Sequence, residues 1–93
     1  DTYIEFTDDQ IRLIAGGKSL IEATETTTDT VVINEDSHDL DFRIEGNGDA
    51  NLFFTDGGND RVGIGTNSPS KLLHVDGDAI SRSDTNISQW NRI

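Results

Sequence analysis

Between Asp56 and Asp78 the chain reads DGGNDRVGIGTNSPSKLLHVDGD, and no other stretch limits the fold so tightly. Asp56-Gly57-Gly58-Asn59-Asp60 concentrates residues that accept positive φ or hydrogen-bond their own backbone. A chain reversal is therefore predicted between Phe53-Phe54 and Val62-Gly63-Ile64. Asn67-Ser68-Pro69-Ser70, with the sole proline, is a second turn signal, and strand-forming residues resume from Lys71 to Val75. Short strands joined by turns predict an all-β fold of antiparallel strands and hairpins.

The rest of the chain repeats that grammar. Tyr3 to Phe6 alternates Ile4 and Phe6 against Tyr3 and Glu5, and Gln10 to Ala15 alternates Ile11 and Leu13 against Arg12 and Ile14. Thr7-Asp8-Asp9 and Gly16-Gly17 are the turns. Lys18 to Ala23 completes a three-stranded meander, but Leu20 and Ile21 stand side by side, which implies burial on both faces, a bulge or the end of a repeat. Thr24 to Thr30 is polar and threonine-rich and is read as a loop or a connection between modules. Val31-Val32-Ile33 is a short strand. His38 to Glu45 then alternates cleanly, with Leu40, Phe42 and Ile44 on one face and Asp39, Asp41, Arg43 and Glu45 on the other. Gly46-Asn47-Gly48-Asp49 closes a hairpin into Ala50 to Thr55, with Leu52 and Phe54 facing away from Asn51 and Phe53. After Asp78 the alternation ends. Ile80, Ile87, Trp90 and Ile93 fit a short C-terminal helix behind a Ser83 or Asp84 cap. The organisation expected is an N-terminal meander over 1–29, a second β module over 30–78 and an extension over 79–93, in a chain that is itself a segment of a longer protein.

Charge and size narrow the function. With 18 acidic and 7 basic residues the formal charge is −11, which argues against nucleic acid and anionic membrane surfaces as partners. No run approaches the roughly 18 apolar residues of a membrane span. No cysteine is present, so disulfides, zinc-thiolate sites and thiol nucleophiles drop out. Ninety-three residues with 32% hydrophobic content make a thin core for one chain, and oligomers complete such cores between copies.

The chemistry-bearing residues read as structural. Asp56 to Val62 has a weak likeness to a glycine-rich calcium repeat, but the spacing of Asp60 is wrong and no second copy stacks beneath it. Asp39 and Asp41 share a strand face as a solvated pair. His38 and His74 are too few for a metal site in one chain, although a three-fold axis would multiply either of them. No Gly-x-Ser-x-Gly elbow frames a serine, and Gly63-Ile64-Gly65 lacks the third glycine of a dinucleotide fingerprint. Asn86-Ile87-Ser88 meets the glycosylation pattern, and Tyr3, Phe53 and Trp90 are the aromatics suited to stacking on sugar, with core contact the simpler use. No catalytic, cofactor or metal residues are expected, and no enzyme.

DRVGIGTNSPSKLLHVDG, from Asp60 to Gly77, resembles the Val-Gly-Ile-Gly-Thr, Ser-Pro and Leu-His-Val segments that recur in bacteriophage tail fibres, tail spikes and other virion fibres, often upstream of an intramolecular chaperone. The resemblance extends back to Thr30, where VVINEDSHDLDFRIEGNGDANLFFTDGGNDRVGIGT looks like the fibre repeat of marine and cyanobacterial phages. It implies an elongated, intertwined homotrimer in an extracellular virion fibre, a structural shaft in tail or head that supports host attachment. Its partners would be two further copies, other virion proteins and a host-surface glycan. The alternative is an adhesin module that grips carbohydrate or receptor through loops such as Glu35 to Asp39 or Gly46 to Asp49. Within the trimer the core residues would be Ile4, Phe6, Leu40, Phe42, Ile44, Leu52, Phe54, Val62, Ile64, Leu73 and Val75. The chaperone's cleavage chemistry does not carry over: Ser83-Asp84 is present, but no lysine follows Lys71.

Overall fold

A computed structural model describes residues 1–80 as eight strands with no helix among them. They are β1 (Tyr3–Phe6), β2 (Gln10–Ala15), β3 (Lys18–Thr24), β4 (Thr30–Ile33), β5 (Phe42–Ile44), β6 (Phe53–Asp56), β7 (Arg61–Ile64) and β8 (Leu73–Val75). The strands form two four-stranded sheets in simple sequential order, β1-β2-β3-β4 and β5-β6-β7-β8. The all-β expectation holds. The helix expected near the C-terminus, the Ser83-Asp84 pair and Asn86-Ile87-Ser88 lie outside the described residues. The radius of gyration is 16.9 Å, against about 12 Å for a compact domain of this length.

In the first sheet every pairing is antiparallel, and register sorts the side chains cleanly. Ile4 pairs with Leu13, Leu13 with Ile21 and Ile21 with Ile33; Phe6 pairs with Ile11, Ile11 with Ala23 and Ala23 with Val31. Cross-strand partners share a face, so these eight apolar residues make one continuous surface. Glu5, Arg12, Glu22 and Val32 are aligned across the other face. The Leu20-Ile21 adjacency resolves as a bulge. Register slips between Leu13 and Ile14, whose partners are Ile21 and Ser19, and Leu20 is passed over. Gly16 and Gly17, at φ 57° and 78°, form the tight turn between β2 and β3, which needs positive φ at both positions.

Strand pairing also relocates one expected boundary. β4 pairs with β3 from Ile21↔Ile33 to Thr24↔Thr30, so Thr30 to Ile33 completes the first sheet and the threonine-rich segment is a hairpin loop. Its polar side chains brace that loop: Thr26 N donates to Asp29 Oδ1 at 3.1 Å, and Thr26 Oγ1 donates to the Thr28 carbonyl at 2.7 Å. The crossing to the second sheet is the 34–41 segment. There Asn34, at φ 73°, clasps His38 through two bonds of 2.8 and 2.9 Å.

The second sheet departs from expectation in three places. First, the alternating stretch His38 to Glu45 contributes only Phe42–Ile44 as strand, because the segment before it is held by the 57–58 turn instead. Second, Phe54 pairs with Arg43 and Gly63, whereas Phe53 pairs with Ile44. Phe53 therefore joins the Phe42, Ile44, Val62 face, and Phe54 lies on the opposite one. Third, β8 runs parallel to β7. The return loop makes this feasible: Gly65 turns the chain at φ 82°, Pro69 is buried, and Arg61 Nη1 donates to the Pro69 carbonyl at 3.1 Å. Val62 N then donates to Leu72 O at 2.8 Å and Asp76 N to Ile64 O at 2.9 Å.

The glycines of the opening stretch find their reasons here. Positive φ in the β6–β7 turn falls on Asp60, not on Gly57 or Gly58. Those two are small because a Cβ on Gly57 would strike the Leu40 backbone, and one on Gly58 would sit 2.7 Å from Asp39 Oδ1. Likewise a Cβ on Gly63 would strike the Thr66 carbonyl oxygen and lie 3.0 Å from Thr66 Cγ2.

Candidate functional site

The two faces of the first sheet are exposed in the reverse of the usual sense. On the charged face Ile14 is 5%, Ser19 3% and Glu22 9% exposed. On the apolar face Ile4 is 56%, Phe6 71%, Ile11 53%, Leu13 41% and Val31 74% exposed. The charged face covers itself. Arg12 Nε donates to Glu5 Oε1 at 2.7 Å, its Nη2 pairs with the same carboxylate, and Nη1 lies 3.6 Å from Glu22 Oε2. Ser19 Oγ donates to Glu22 Oε2 at 2.9 Å, and Gln10 Nε2 to Thr24 Oγ1 at 3.1 Å. Long side chains laid across a sheet cover it with their methylene stems while their heads pair. The bond to Glu5 raises the Arg12 pKa above its ordinary value against the opposing effect of burial. The apolar side chains opposite are left in water.

The residues expected to form an inter-chain core occupy comparable positions. Ile4 and Phe6 are exposed on β1, and Ile44, Leu52 and Leu73 are exposed in the second sheet. Leu40, Phe42, Val62, Ile64 and Val75 are half-buried, and Phe54 alone of the set is buried, at 7%. Register brings Phe42, Ile44, Val62, Ile64, Leu73 and Val75 to one face of the second sheet, together with Phe53, which sequence reasoning had turned the other way. Sequence reasoning also omitted Ile11, Leu13, Ile21, Ala23, Val31 and Ile33 from the core set. Their signal was the same alternation that singled out Ile4 and Phe6.

The acidic residues gather at the β6–β7 turn. Asp39, Asp41 and Asp56 each place a carboxylate oxygen within 4.8 Å of the others. The first two were legible as a pair; Asp56 joins them through tertiary structure. The turn itself uses these oxygens. Asp41 Oδ1 accepts from Gly57 N at 3.1 Å, and Asp56 accepts from Gly58 N, Asn59 N and Asn59 Nδ2 at 3.1, 3.2 and 2.9 Å. The Asn59 side-chain bond, with help from the backbone donors and Arg61, lowers the Asp56 pKa below its ordinary value despite partial desolvation. This is turn anchoring. Asp60, the residue weighed for calcium, is outside the cluster.

His38 and His74 are likewise engaged locally. The His38 backbone is clasped by Asn34, and Ser70 N donates to His74 Nδ1 at 3.1 Å, so neutral His74 carries its proton on Nε2. The two loops weighed for receptor contact are short and self-bonded: Ser37 N donates to Asn34 O at 3.0 Å, and Gly46 N to Asp49 O at 2.8 Å. A further concavity lies at one end of the first sheet, lined by Phe6, Ile11, Ala23 and Val31 together with Asp8, Asp9, Glu25 and Asp29. It is open and continuous with the apolar face. No family model, curated protein or solved structure matches the chain.

Proposed function

We propose that the chain is a structural segment of a phage virion fibre, a shaft element in tail or head that supports host attachment and completes its core between copies. The observation that supports this reading best is the apolar row on one face of each sheet. Ile14 and Phe54 are the buried hydrophobic residues among those described, while Phe6, Val31 and Leu72 are more than two-thirds exposed. Single exposed hydrophobic residues are ordinary on monomers, but rows of them aligned by strand register are not. In a three-fold assembly those rows would face inward, and the first sheet's Glu5-Arg12-Glu22 face, already paired within the chain, would face outward. The sequential strand order, the elongated dimensions and the resemblance over Thr30 to Asp78 agree with a shaft.

The adhesin alternative has less to draw on. Neither Glu35 to Asp39 nor Gly46 to Asp49 contains a phenylalanine, tyrosine or tryptophan to stack on a sugar ring. Light scattering and sedimentation velocity on the chain test the proposal. An elongated particle of three chain masses is expected, and a compact monomer that stays folded on dilution would overturn it.

A further inference from the structure

The apolar face of the first sheet is a site of self-association in its own right, an inference that rests on the reading of the chain as one whose core is completed between copies. We infer that its occupant is the same face of a second copy. The five exposed side chains Ile4, Phe6, Ile11, Leu13 and Val31 leave on the order of 600 Å² of surface in water. That matches the largest patch typical of monomers and approaches the roughly 800 Å² per partner of a stable interface. The half-buried Ile21 and Ile33 between them add to it. A four-stranded face of aliphatic side chains with the single ring of Phe6 can also pack on a copy of itself, since sheets stack face to face at about 10 Å with side chains interdigitated.

The distribution of charge admits a second copy at this face. Each chain carries −11, and the first sheet segregates Glu5, Arg12 and Glu22 to its covered face. The opposite face carries no carboxylate across its four strands, its ionisable side chain being Lys18 opposite Ala15 at the β2–β3 turn, so it is where two strongly acidic copies meet without burying a carboxylate. Asp8, Asp9, Glu25 and Asp29 lie at one end of that face, where they repel their counterparts at long range. Salt therefore strengthens a homotypic contact by screening, whereas it would weaken the grip of a basic partner on the same acidic end.

The test uses the 93-residue chain and the charge variants Phe6→Glu and Val31→Glu, with Asn47→Glu as a control that adds the same charge at an exposed loop position. Sedimentation equilibrium reads association, and circular dichroism reads the fold. Because Phe6 and Val31 are exposed in one chain, both variants should keep the wild-type β spectrum while association weakens at least about tenfold. The control should associate like wild type, and raising salt from low to physiological strength should tighten wild-type association. Wild-type association in Phe6→Glu and Val31→Glu, or association that weakens with salt, overturns the inference. If Ile44→Glu or Leu73→Glu dissociates an assembly that the first-sheet variants leave intact, the fibre reading stands and this inference falls. A folded wild-type monomer at every concentration overturns both.

Discussion

Replacing Gly63 by alanine gives the sharpest test of the packing, because one methyl group is set against one carbonyl. Gly63 is buried in β7 between Phe54 and His74, and its added Cβ would strike the Thr66 carbonyl oxygen with Thr66 Cγ2 3.0 Å away. The obstacle is backbone, so relief requires moving the Gly65-Thr66 turn. That turn is itself fixed by Gly65 N, which donates to Asn51 O at 2.9 Å and Leu52 O at 3.3 Å. Overpacking of this kind costs about 1–3 kcal/mol. The lower chain entropy of unfolded alanine returns about 0.4–1 kcal/mol, which leaves a net loss of at most about 2.6 kcal/mol and about 1.3 kcal/mol at the middle of both ranges. In a domain of this size that is a fall in Tm of roughly 5–15 °C. Gly48→Ala is the matched control, since nothing lies within 4 Å of a Cβ there, and it should stay within about 0.5 kcal/mol of wild type. Thermal melts by circular dichroism at one fixed concentration, with urea titration, measure both. If Gly63→Ala melts with wild type and Gly48→Ala, the close approach of Thr66 is wrong, and with it the account of why the Val-Gly-Ile-Gly-Thr motif needs its first glycine.

Phe54→Ala should cost about 3–5 kcal/mol, the loss expected for a buried phenylalanine, as measured by urea unfolding; an effect below 1 kcal/mol would mean that Phe54 is not the buried member of the Phe53-Phe54 pair. Arg12→Met should lower Tm more than the double variant Arg12→Met/Glu22→Leu, because the single change strands the buried Glu22 carboxylate and the double change removes it; the reverse order would refute the ladder. For Asp56 the folded pKa lies below the ordinary value of 3.8, so its contribution is fully present above that value and fades as pH falls through the folded one. The Tm gap between wild type and Asp56→Ala should thus be largest near neutrality and shrink on acidification below about pH 4, and a gap that widens in acid would contradict the sign.

Much of the strand layout was legible because alternation is a local property. Ile4 and Phe6, then Ile11 and Leu13, announce β1 and β2, and the Gly16-Gly17 pair announces their turn into β3. The Leu20-Ile21 adjacency flagged the bulge, since two apolar neighbours cannot both face one side of a regular strand. What stayed hidden depended on distant partners. Thr24 to Thr30 has the same polar composition whether it joins two modules or caps a hairpin, and only pairing of Ile33 with Ile21 decides. Phe53 and Phe54 are interchangeable by pattern; Gly63, which opens room opposite Phe54, is what distinguishes them. The Asp39, Asp41 and Asp56 gathering needed the β6–β7 turn to fold back onto the segment before β5, sixteen residues upstream from Gly57 to Asp41.

By itself, then, the amino-acid sequence determined that this chain makes short strands and tight turns, carries a net acidic surface and has too few hydrophobic residues to close a thick core. Tertiary structure alone decided which face each row occupies. Side-chain alternation says that Ile4, Leu13, Ile21 and Ile33 each lie opposite a polar neighbour, but hydrogen-bond register across four strands joins them into one surface and gathers Glu5, Arg12 and Glu22 on the other. The charged side chains can satisfy one another within the chain, so their face is covered. The apolar ones gain only by leaving water, and within the described residues of one chain most of them do not.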